Sequence, residues 1–223
     1  MRANLGRALG VLAGAMFTAS AQDGAWNATA SGNWSDTGNW EGGTIPSGAA
    51  NTAYFTNTIP GAVTITLPAE PVEIGRLVFW TNAPPDVTPR TWTFTDGVFT
   101  NLSWIEAAPW PVSNAMTIRV QSRIDSEAPG YSLTILGSTS NAVGEIWLAA
   151  SNRYSGPTYI GNTARVIITN AWALGDTTYG TVVSNGAGVK LGNNIDLYEP
   201  FTIMGNGNLQ WSGAIDSRGG STN

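Results

Sequence analysis

The sequence predicts an all-β chain wound as a right-handed parallel β-helix, a β-solenoid, closed at its N-terminal end by a tryptophan-rich cap. Three observations carry this expectation. Short runs of alternating apolar and polar residues recur along the chain, as in Val63-Thr-Ile-Thr-Leu67 and Met116-Thr-Ile-Arg-Val120. A period of two marks a strand with one buried face. Between the runs fall Asn-Gly and Gly-Asn turns such as Asn185-Gly186 and Gly192-Asn193, which leave no room for a helix of ordinary length. The 223 residues also contain no cysteine. Small secreted domains often need disulfides, whereas each added coil of a solenoid extends one continuous core.

Residues 1–21 read as a secretory signal peptide. Arg2 and Arg7 form a short basic region, Ala8 through Phe17 is apolar, and Ala19-Ser20-Ala21 fits a small-x-small cleavage site. The apolar run falls short of the roughly 20 residues a spanning helix needs. A mature chain would begin at Gln22, with 15 acidic residues against 8 basic ones once Arg2 and Arg7 are gone, a formal charge of −7. Nucleic acid is therefore not an expected partner, since phosphate binding needs a basic patch. After the leader no apolar segment reaches spanning length, so no membrane insertion of the mature chain is expected. Only 11% of residues are charged, and Ser, Thr, Asn and Gly must supply most of the polar surface.

Residues 22–62 form the expected cap. Trp26, Trp34 and Trp40 sit among Ser, Gly, Asn and Asp, followed by Ala53-Tyr-Phe55. Large apolar side chains on irregular backbone would cover the open core and unpaired strand edge of the first coil.

The solenoid is expected over residues 63–223. Val63, Ile65 and Leu67 point one way, followed by a strand at Ile74–Trp80. Pro84, Pro85 and Pro89 then break the ladder and predict a protruding loop. Trp92 and Phe94 resume the alternation. From Met116 onward, Met116, Ile118, Val120, Ser122 and Ile124 face inward, while Thr117, Arg119, Gln121, Arg123, Asp125 and Glu127 face outward, with a bend at Ser122. Further rungs fall at 133–136, 145–148, 165–168, 181–183, 188–191 and 201–204. Ile118, Val120, Val166, Ile168, Val183, Leu191 and Ile203 are the expected core residues, with Gly161 and Gly186 at turns. A period of roughly 20–25 residues gives about seven or eight coils. At ~4.8 Å per coil the rod would be on the order of 35 Å long. A last rung begins at Leu209 and the chain stops soon after, at Asn223, so truncation of a longer repeat protein is expected.

One stretch carries a more specific signal. Asn152-Arg-Tyr-Ser-Gly-Pro-Thr-Tyr-Ile160, Asn170-Ala-Trp-Ala-Leu-Gly175 and Val183-Ser-Asn-Gly-Ala-Gly-Val-Lys-Leu191 follow one another. They are similar to the N-x-Y-x-G-x-T, N-x-x-A-L-G and V-x-N-G-A-x-L-x-L boxes of the autotransporter-associated β-strand repeat, also called the passenger-associated transport repeat. The departures are Pro157 and Arg165-Val166, where the family favours Gly and Gly-Thr-Leu. The resemblance implies the N-terminal portion of a bacterial passenger that is secreted or displayed on the outer membrane through a C-terminal region not in this sequence. It also implies a structural, adhesin-like role without catalysis, facing extracellular polysaccharide or a host or neighbouring cell surface.

Composition limits the chemistry. With no His and no Cys, the chain has no Ser-His-Asp triad, no Cys nucleophile and none of the commonest zinc ligands. No cofactor or metal is expected. Arg123, Asp125 and Glu127 share one strand face, which allows a polysaccharide lyase site but reads more economically as a solvated outer face. A glycosidase pair cannot be chosen among 15 acids. Ten tryptophans raise a carbohydrate-binding alternative, for which Trp80, Trp104 and Trp110, in or beside the irregular region between Ile74 and Val112, are the candidate stacking residues.

Overall fold

The computed structural model describes residues 21–80, 90–107, 116–126, 128–137, 144–192, 195–207 and 213–217. The proposed leader therefore lies almost wholly outside the described residues, as do Trp110, Glu127 and the prolines of the predicted 82–89 loop.

The chain is a parallel β-solenoid. One long face stacks β1 (Gly24–Ala25), β3 (Gly48–Phe55), β5 (Val72–Phe79), β8 (Trp104–Ala107), β11 (Leu133–Leu136), β13 (Thr158–Gly161), β15 (Thr181–Val183) and β17 (Phe201–Ile203). The other stacks β2 (Gly32–Asn33), β4 (Ala62–Thr66), β6 (Arg90–Thr95), β9 (Met116–Val120), β12 (Gly144–Leu148), β14 (Arg165–Ile168), β16 (Gly188–Leu191) and β18 (Ile215–Ser217). A short third face joins them at one corner. There β7 (Val98–Thr100) pairs with the start of β5 and with β10 (Arg123–Asp125), and Asp125 bridges to Arg153 in the next coil. Two short 3-10 turns, Thr37–Asn39 and Glu41–Gly43, are the helical pieces among the described residues.

Six coils run from β4 to β17, fewer than the seven or eight expected, because the coils are longer than the sequence period implied. Trp104 pairs with Thr134, a step of 30 residues, whereas Thr181 pairs with Phe201, a step of 20. The stack stays in register because the inward side chains line up in rows. One row is Ala53, Leu77, Ile105, Ile135, Ile160 and Val183, all fully buried, ending at Ile203. Another is Val63, Trp92, Ile118, Ile146, Val166 and Val189, all buried, ending at Ile215. Each apolar side chain removed from water contributes roughly 1.5–3 kcal/mol, and a row repeats that gain coil after coil.

The aromatic residues concentrate at the N-terminal end. Trp40 packs edge-on against Trp26 at 5.1 Å and against Trp34 at 4.8 Å, and its indole N–H donates to the Trp34 carbonyl at 2.7 Å. Phe55 lies under all three tryptophans and stacks on Phe79 at 4.8 Å. Edge-to-face geometry suits rings whose faces are negative and whose edges are positive. All three tryptophans are buried, and the segment they sit on already joins both ladders. β2 pairs with β4, and the eight-residue β3 pairs with β5, so the sheets begin ahead of Val63.

Candidate functional site

The corner between the second long face and the third face holds an open groove of about 800 Å³, lined by Thr95, Asp96, Gly97, Gln121, Arg123, Ala150, Ser151 and Arg153. Three successive coils build it, each contributing the turn by which its chain leaves the second face. In the first coil, Asp96 and Gly97 turn with positive φ after Thr95. In the second, the Gln121 backbone N–H donates to the Phe94 carbonyl at 2.9 Å. Ser122 is buried at the bend, so Arg123 emerges on the outside. In the third, Asn152 turns inward and Arg153 emerges in line with Asp125, its backbone N–H bonded to the Ile124 carbonyl at 2.8 Å.

The two guanidiniums differ in what they touch. Arg123 holds Asp125 through both carboxylate oxygens, at 2.8 Å each. This forked pairing satisfies the acid and orients the base. The Arg153 side chain is exposed and has no ion pair or hydrogen bond among the described residues. The site thus offers one preorganised guanidinium and one uncommitted one, beside the hydroxyls of Thr95 and Ser151 and the amide of Gln121. Among the described residues no three acidic side chains gather as a cation site.

Arg123 and Asp125 share the outer side of one short strand, as the alternation predicted, and form an ion pair. Arg153 was missed as a site residue, although it lies inside the Asn152–Ile160 box. Its signal was positional, since it is the outward neighbour of the inward Asn152.

Of the candidate tryptophans, Trp80 and Trp104 do not converge, and Trp110 lies outside the described residues. Trp80 follows β5 and is 46% exposed. Trp104 opens β8, so it belongs to a ladder strand and not to the irregular loop expected there. The loop expectation failed because Trp104-Ile-Glu-Ala107 is too short a run to stand out, yet it is pinned on both sides by β5 and β11. Trp104 pairs in register with Arg76, four residues before Trp80, which puts the two tryptophans roughly 13 Å apart along the strand. The Arg76 guanidinium covers the Trp104 ring at 4.8 Å and pairs with Glu106 at 3.6 Å, while the Trp104 indole N–H donates to Glu106 at 3.0 Å. The second face repeats the arrangement. Arg119 lies 4.6 Å over Trp147, and Glu145 accepts from the Trp147 indole N–H at 3.2 Å. These cation–π pairs stiffen the outer surface and occupy one face of each ring.

No helix among the described residues is long and apolar enough to cross a membrane. Comparison with family models, with curated proteins and with solved structures gave no match to this chain.

Proposed function

We propose that the chain is a secreted structural scaffold, the rod of a surface-displayed, adhesin-like bacterial passenger, and that it performs no catalysis. The observation that carries this reading is the pair of core rows running coil to coil, flanked by outer ion pairs within the surface. Arg76 with Glu106, Arg123 with Asp125, and Lys190 with Asp216 at 3.1 Å are each committed within the surface. Such a molecule is suited to hold distance and shape. The leader-like residues 1–21 and the similarity of residues 152–191 to the passenger repeat support the same reading. The experiment is export. The full chain expressed in a Gram-negative host should leave the cytoplasm with Gln22 as its new N-terminus, read by N-terminal sequencing. Retention in the cytoplasm with residues 1–21 intact would overturn the proposal.

The exposure of Trp80 favours carbohydrate binding as a second reading. Saturable binding on a neutral-glycan array, lost in Trp80→Ala, would establish it.

A further inference from the structure

We propose that the corner groove binds a linear acidic polysaccharide, a polyuronate, through Arg153, with Arg123 held beside it by Asp125. The inference goes beyond the scaffold reading and stands on different residues from the tryptophan reading. The groove is open and crosses three coils, which suits a segment of extended polymer better than a small enclosed molecule. Arg153 projects from its edge with its guanidinium uncommitted among the described residues, whereas Arg76, Arg123 and Arg165 are held in ion pairs. A guanidinium matches a carboxylate with two parallel hydrogen bonds. Thr95, Gln121 and Ser151 each carry both donor and acceptor capacity, the requirement for sugar hydroxyls. Asp96 on the rim accepts only, and serves a sugar hydroxyl. Each uronate residue sets two neutral hydroxyls beside its carboxylate, which Thr95, Gln121 and Ser151 can match while the guanidinium takes the acid.

Asp125 sits beside the groove and restrains Arg123, so it acts as a positioning residue. Its neutralisation should free the Arg123 fork for the ligand. The test is calorimetric titration of the full chain with polygalacturonate, with dextran and a single-stranded oligonucleotide in parallel. Saturable binding to polygalacturonate alone is expected. Arg153→Ala should weaken it about tenfold, the scale of one charge-assisted hydrogen-bond pair. Asp125→Asn should strengthen it, and Arg76→Ala on the other face should leave it unchanged. All three substitutions fall on the surface, and circular dichroism checks that each variant is folded. Absence of saturable binding, equal loss in Arg76→Ala, or equal affinity for dextran or the oligonucleotide would overturn the proposal. Export of the chain is read separately, so either conclusion can fail without the other.

Discussion

The side-chain amide of Asn152 donates to the Ala173 carbonyl at 2.7 Å, from inside a corner where both residues are buried. Its amide oxygen accepts from the Ile124 backbone N–H at 2.9 Å. One side chain therefore ties its own coil to the coil before and the coil after. Asn152→Ala leaves two buried backbone groups without partners and should cost about 2–4 kcal/mol. The shift of the urea midpoint measures it.

Gly175, in the turn after Ala173 and Leu174, has φ +84° and faces the buried ring of Tyr154, where an added Cβ would lie 2.6 Å from the ring. Gly130 has a similar φ of +77°, with nothing within 4 Å. Gly130→Ala should therefore cost only the left-handed backbone strain, roughly 1 kcal/mol. Gly175→Ala should cost roughly 1–3 kcal/mol more, because the ring must move in a packed core. Equal thermal shifts in the two variants would show that the Tyr154 contact is soft.

Ile168 and Ile203 occupy equivalent inward positions on the two long faces but differ in what lies beyond them. Ile168 is fully buried between Leu148 and Leu191. Ile203 pairs with Val183 on one side and is 48% exposed. Ile168→Asp should abolish cooperative unfolding, since it buries an unpaired charge inside a continuous row. Ile203→Asp should change stability by less than about 0.5 kcal/mol. Circular dichroism melts of both variants make the comparison.

Glu199 gives the fold a pH dependence. Thr181 donates to its carboxylate at 2.7 Å, but burial, chiefly, and the nearby negative charge of Asp176 push its pKa above the ordinary 4.5. A carboxyl with a raised pKa in the folded state contributes stability that is fully present below the unfolded value. That stability is lost as pH rises through the folded pKa. Ionised Glu199 thus weighs against the fold at neutral pH. Glu199→Gln keeps an acceptor for Thr181 and should raise the melting temperature at pH 7. The gain should vanish at about pH 4. A gain that persisted at low pH would assign it to packing.

Much of this architecture was legible in the alternation of residues. Met116 through Asp125 splits into β9 and β10 with Ser122 turned inward at the bend, as the pattern required. The third face was not legible, because Val98–Thr100 is too short for a period of two to declare itself, and Arg123–Asp125 reads as the continuation of the Met116 strand past its bend. β14 shows the opposite failure. All four of its residues are buried, including the outward Ile167, which lies in register between Trp147 and Lys190 on the adjacent strands. Long outer side chains cover it, and no local pattern reports that. The groove was illegible for a third reason, since its lining comes from positions 95–97, 121–123 and 150–153, which only the stacking of coils brings together.

The coil step changes from 30 residues at Trp104–Thr134 to 20 at Thr181–Phe201, while the inward rows from Ala53 and Val63 onward keep their register. Contour length and pitch are uncoupled in this chain. Residues gained or lost between the ladder strands leave the rise along the axis unchanged, because the hydrogen-bonded ladder sets that rise. The corners can therefore be remodelled one coil at a time, as separate panels mounted on a fixed frame.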